Sequence, residues 1–96
     1  MSITLGNPII ITSGTLSSIV SRRTLNIEKF YWHQPSTVTS GYGVSLRKSN
    51  LSGSIIAQMT VETDLQSQNI SFDEGLNVRD LYCESVGTGT LYIYTK

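Results

Sequence analysis

One cysteine, one histidine, one alanine and two prolines are all that the 96 residues hold of those types. With Cys83 alone, no internal disulfide can form. Cys83 and His33 together fall short of the four Cys or His ligands of a structural zinc site. Ala57 is the single copy of the best helix former, and nowhere does a helical period emerge with conviction. Charge is scarce too. Charged residues make up 15% of the chain against the usual quarter, and seven basic side chains balance seven acidic ones. Proteins that hold nucleic acid by neutralising phosphates carry a basic excess, so that class is set aside. Ile9-Ile10-Ile11 is too short to span a membrane, and Met1 to Leu5 lack the basic start of a secretory signal. The expected setting is a reducing cytoplasm, with the chain either staying there or assembling into something larger.

In place of helix formers stand Ser and Thr, about a quarter of the chain, with many Ile, Val, Leu and Tyr. β-branched and aromatic side chains suit a pleated, half-buried surface, so the fold class is all-β. Ninety-six residues support one core. Short strands are predicted at Pro8–Thr12, Ser17–Ser21, Thr24–His33, from Tyr42 through Leu46, Ile55–Val61, Gln68–Phe72, Leu76–Glu84 and Leu91–Tyr94. Turn chemistry separates them at Ser13-Gly14, Lys48–Gly53, Asp73-Glu74-Gly75 and Val86–Gly89. Residues 34–43 read as a loop, and Thr63–Ser67 as at most one helical turn. Two runs break their alternation. Leu25 and Ile27 share one parity, then Phe30 and Trp32 take the other, so an extra residue near Glu28-Lys29 is predicted as a β-bulge. A second slip falls near Asp80. About seven close-spaced strands suggest a single small antiparallel β-sandwich spanning 24–96, preceded over 1–23 by an extended N-terminal arm or first short strands.

No constellation points to catalysis, and no cofactor or metal is expected. A Cys83–His33 pair has no local signature, and Cys83 reads as a small core residue. Glu62 with Asp64, and Asp73 with Glu74, fall at strand ends as solvated turn residues. Gly41-Tyr42-Gly43 and Gly87-Thr88-Gly89 open no helix, so they lack the dipole that cradles phosphate. The informative feature is aromatic. In a strand, Tyr31 must face away from Phe30 and Trp32, and Tyr92 and Tyr94 away from Leu91 and Ile93. Outward tyrosines can anchor a protein interface or stack on sugars. Arg22-Arg23 is the one tight basic pair, able to dock an acidic partner. The candidate interface residues are therefore Ile9, Ile10, Ile11, Arg22, Arg23, Tyr31, Tyr92 and Tyr94.

Several elements carry a resemblance: Ile27 followed by Phe30-Tyr31-Trp32, Gly43-Val44-Ser45-Leu46, a turn with Gly53, and Ile55-Ile56. Ile70-Ser71-Phe72, Gly75-Leu76-Asn77-Val78 and the closing Gly89-Thr90-Leu91-Tyr92-Ile93-Tyr94 complete it. Across Asn26 to Tyr94 the chain resembles small β-sandwich head-decoration (cement) and accessory virion proteins of tailed bacteriophages. The resemblance implies a non-enzymatic virion protein, made in the host cytoplasm, that binds and stabilises the assembled head. Its partners would be the major capsid protein or other virion proteins, with self-association into a homo-oligomer such as a trimer, and neither nucleic acid nor membrane. Tail, collar or connector protein is the alternative within that setting; a carbohydrate-binding module is the alternative outside it. In the decoration reading, Ile9-Ile10-Ile11 would add a strand to a neighbour's open edge, and removing the residues before Arg22 would abolish assembly without unfolding the domain.

Overall fold

The structure, a computed structural model, describes residues 3–14, 18–33, 43–50, 52–60 and 67–96. Tyr42 and the expectations for 34–42 and 61–66, Glu62 and Asp64 included, lie outside the described residues. The chain forms β1 (Ile3–Thr4), β2 (Ile9–Gly14), β3 (Ser18–His33), β4 (Gly43–Lys48), β5 (Ile55–Thr60) and β6 (Ser67–Thr95), joined in one sheet. The all-β class is as expected, and no helix occurs among the described residues.

Two strands dominate. β3 has 16 residues and β6 has 29. Their partners run in opposite senses at every rung. Ser18 pairs with Cys83 and Ile27 with Leu76, then Lys29 with Ser71 and His33 with Ser67, all along one edge of β3. From Ile27 to His33 the other edge of β3 is bonded as well, by Thr95 back to Thr90. β6 thus grips β3 from both sides. β6 also stands between β4, paired at Leu81–Val86, and β2, paired at Val86–Ile93 on the opposite edge; β5 extends β4 and β1 extends β2.

A strand this long must bend. At about 3.3 Å per residue a straight β6 would run about 95 Å, yet the molecule measures 34 Å along its longest axis. Bulges supply the bending. Between Ile27 and Lys29, β3 advances two residues while β6 advances one, from Thr95 to Tyr94, so Glu28 is the predicted extra residue. Asp80 sits at φ 56°, at the position of the second slip in alternation. Glu84 is a further insertion, because Leu46 pairs with Cys83 while Ser45 pairs with Ser85.

Two expected reversals turn out to be bulges. At Asp73-Glu74-Gly75 and again at 87–89, the chain steps out of the ladder and resumes in the same direction. Gly75 (φ 83°) and Gly89 (φ 72°) take the left-handed conformations these steps need. Arg22-Arg23 likewise does not separate two strands; β3 runs through it. In the β4–β5 turn the positive φ falls on Ser49, at 71°, and not on Asn50 or Gly53. Gly53 is needed for closeness instead: a Cβ there would lie 1.6 Å from the Lys48 carbonyl oxygen.

The bent sheet encloses one core from β2 to β6. Ile11, Ile27, Phe30, Trp32, Leu46, Leu81, Cys83, Val86, Leu91 and Ile93 are fully buried there. Phe72 meets Phe30 edge-on at 6.0 Å, an arrangement that places a positive ring edge on a negative ring face.

The N-terminal segment corrects the expectation of an arm. β2 is hydrogen-bonded on both sides, by β1 and by β6, so Ile9-Ile10-Ile11 has no edge to lend to a neighbour. Ile9 and Ile11 are buried in the core. Before β2, the Asn7 carboxamide donates to the Thr95 carbonyl at 3.0 Å and accepts from the Thr95 amide at 3.1 Å, prolonging the ladder. Deleting residues through Thr12 therefore removes core side chains. At about 2–5 kcal/mol for each large aliphatic core residue lost, against a total of about 5–15 kcal/mol for a small domain, the truncated chain is expected to lose cooperative thermal unfolding by circular dichroism.

Gly75 makes a sharper test. A Cβ there would fall 1.9 Å from Asn26 Oδ1 and carry a left-handed backbone besides. Gly75→Ala is expected to cost about 1–3 kcal/mol, read as a lowered Tm. Adding Asn26→Gly should recover the steric part and leave the backbone part.

Candidate functional site

Three tyrosines point outward as the alternation requires, and strand pairing brings them together. Phe30, Trp32, Leu91, Ile93, Ile9 and Ile11 point into the core, so Lys29, Tyr31, His33, Tyr92, Tyr94 and Ile10 share the opposite face. Register then sets their order. One row across the sheet reads Asn69, Tyr31, Tyr92, Ile10 and Thr4. A row beside it holds Ser71, Lys29 and Tyr94. On the other side lie Ser67, His33, Thr90 and Thr12. Five strand passes, two of them by β6, at about 4.8 Å spacing make the central row about 19 Å wide.

The rings are held, not dangling. Tyr31 and Tyr92 stand directly across the ladder with ring centres 6.0 Å apart and planes tilted by 52°. Such cross-strand aromatic pairs contribute about 0.2–1 kcal/mol and fix both side chains on the face. Lys29 Nζ lies 4.8 Å from the Tyr94 ring centre, within cation–π range. Tyr31, Tyr92, Tyr94 and Ile10 are all half-buried, leaving the remainder of each side chain to solvent. The face holds rigid, half-exposed aromatics with one adjacent aliphatic and little charge, the composition of a protein interface centre.

Of the eight candidate residues, Tyr31, Tyr92, Tyr94 and Ile10 meet on this face. Ile9 and Ile11 belong to the core, for the parity reason that puts Ile10 outside. Arg22 and Arg23 are exposed toward the other end of β3, beside a depression lined by Leu5, Ile9 and Ile19. Cys83 and His33 are not brought together. Cys83 is buried level with Ser18 at the start of β3, and His33 is exposed at its end. Burial pushes the Cys83 thiol up to about 12, so it is a packed, unreactive side chain. Among the described residues, no three His, Cys, Asp or Glu side chains gather as a metal site, and no helix is long and apolar enough to cross a membrane.

Sequence reasoning missed one polar cluster. The bulge at Glu84 turns its carboxylate over β4, where Oε2 accepts from Ser45 Oγ at 2.8 Å and from Arg47 Nε at 2.7 Å. Arg47 Nη1 also donates to the Gly53 carbonyl at 3.0 Å, tying the β4–β5 turn to β6. The shared parity of Ser45 and Arg47 is legible in the sequence; their partner depends on a bulge that no alternation announces.

Comparison with protein families, with characterised proteins and with solved structures finds no match for this chain. The functional reading therefore rests on the faces of the molecule itself.

The Glu84 cluster predicts a pH dependence. The hydrogen bonds from Arg47 and then Ser45 hold the Glu84 carboxyl below its ordinary value of 4.5. A depressed folded-state value means the contribution is fully present above the unfolded value and is lost as pH falls through the folded one. Tm should thus drop as pH is lowered from about 5 toward 3, and Glu84→Gln should flatten that slope while lowering Tm at pH 7. An unchanged slope would show that the cluster does not couple to folding.

Proposed function

We propose that this protein is a non-enzymatic structural protein that docks through its tyrosine face onto an assembled protein surface. Combined with the resemblance in the sequence, the proposed surface is the outside of a tailed-bacteriophage head, and the role that of a decoration or cement protein. The observation that carries the reading is the row Asn69–Tyr31–Tyr92–Ile10–Thr4. Its rings are braced against each other and against Lys29, so little side-chain entropy is lost on binding. Near-neutral charge, seven against seven, removes the long-range repulsion that would oppose close packing of many copies.

In this reading the action is physical. Each copy covers part of a capsid protein surface and excludes water around Tyr31 and Tyr92. Copies that associate into a homo-oligomer, such as a trimer at a local three-fold position, bind by avidity and reinforce the lattice. A tail, collar or connector position would use the same face, and copy number per particle separates these from the head.

One feature favours a carbohydrate reading: exposed Asn69 lies beside Tyr31 in the same row, placing an amide next to a ring. The two are told apart by sedimenting phage heads that lack this protein with the purified wild type and with a Tyr31→Ala/Tyr92→Ala variant. Anchoring aromatics are worth about 2 kcal/mol or more each, so the variant should lose most of its occupancy while keeping its circular dichroism spectrum. Full occupancy by the variant would exclude the tyrosine face. Binding to a glycan array with none to heads would move the carbohydrate module to the front.

A further inference from the structure

β3 is bonded on both edges only from Ile27 onward. The ladder on its second edge finishes with Lys96 donating to the Asn26 carbonyl at 2.9 Å. Over Ser18–Leu25, β6 pairs with one edge, and among the described residues no strand takes the other. Beside this stretch lies a depression of about 540 Å³. Its walls are Leu5 and Ile9 on one side and Ile19, Val20 and Leu25 of β3 on the other. Leu5 is 69% exposed, one of two large hydrophobics left so open among the described residues. Where the second ladder stops, the sheet presents a strand edge with an apolar trough along it.

Arg22 and Arg23 stand on the same stretch, exposed and lining the same depression. Among the described residues the sole ion pair is Arg47–Glu84, so neither of these guanidinium groups has a carboxylate partner there. One amide of the stretch is met locally, Arg23 N–H donating to Ser21 Oγ at 3.1 Å. Two adjacent cations, an apolar trough and an open backbone edge ask for three different things at once. A ligand that supplies all three has carboxylates, an apolar side chain, and its own alternating N–H and C=O groups.

We propose that the Ser18–Leu25 edge of β3 is a strand-addition site for an extended acidic segment of a partner protein. The segment adds a strand to the sheet, sets an aliphatic side chain between Leu5 and Ile19, and pairs its carboxylates with Arg22 and Arg23. Main-chain hydrogen bonds supply affinity in this mode, and the side chains at alternate positions supply selectivity. An anionic lipid would satisfy the guanidinium groups and the trough and leave the backbone edge unmet, which is why a peptide is the favoured occupant. The site is separate from the tyrosine face and stands or falls independently of it.

The test uses the full chain and fluorescein-labelled extended peptides in which Leu alternates with Glu, with Lys or with Ser, read by fluorescence anisotropy. The Glu peptide should bind, the Lys peptide should not, and the Ser peptide should be intermediate. Arg22→Glu with Arg23→Glu should weaken the Glu peptide by about tenfold or more, and raised salt should do the same in part. Both side chains are exposed, so the variant should keep the wild-type Tm. A Glu peptide N-methylated at alternate amides, unable to join a ladder, should lose binding. Equal binding of Glu and Lys peptides, or undiminished binding by the N-methylated peptide or by the charge-reversed variant, would overturn the proposal. So would a Glu peptide that fails to bind while anionic phospholipid vesicles do.

Discussion

The double grip of β6 on β3 is the constraint on which the rest of the structure depends. A strand that bonds both edges of its neighbour cannot lie in a flat sheet, because its two halves must arrive on opposite sides of that neighbour. The chain meets this requirement by bending, and the bends fall at the insertions Glu28, Asp73–Gly75, Glu84 and 87–89 and at the left-handed Asp80. The bent ladder closes over a core whose largest fully buried side chains are Trp32 and Phe30. β2 and β4 then attach to opposite edges of β6, and β1 and β5 to them.

The two proposed surfaces follow from the same geometry. Where both edges of β3 are occupied, alternation sends Phe30 and Trp32 inward and Tyr31 outward, and register sets Tyr92 and Ile10 in line with it. Toward the other end of β3 the second ladder has run out, and the edge that no described strand takes carries Arg22 and Arg23. One strand therefore presents two chemically distinct faces. The first is aromatic and nearly neutral, the surface proposed to bury area; the second is cationic, with a strand edge unpaired among the described residues, and is the one proposed to take an extended chain.

Parity makes some of these features legible in the sequence. The switch from Leu25 and Ile27 to Phe30 and Trp32 locates the Glu28 bulge, since a pleated strand can change the face of its apolar residues only by gaining a residue. The slip at Asp80 is visible for the same reason. Turn chemistry misleads where parity informs. Asp73-Glu74-Gly75 and 86–89 contain the glycines of a reversal, but a left-handed glycine serves a bulge equally well. Ile9-Ile10-Ile11 shows no alternation, so nothing local reveals that Ile9 and Ile11 enter the core while Ile10 stays out.

By itself the sequence determined the strand class, the single core, the opposed faces of Tyr31 and Trp32, and the absence of a disulfide within these 96 residues. These depend on composition and on a period of two, both of which are local. Tertiary structure alone decided that β1 and β2 are part of the sheet, that three tyrosines and Ile10 share one row system, and that Glu84 meets Arg47. Those outcomes depend on which strand edges meet and in what register. Partners such as Asn7 and Thr95, 88 residues apart, are chosen by the closing of the whole ladder and by no pattern within either segment.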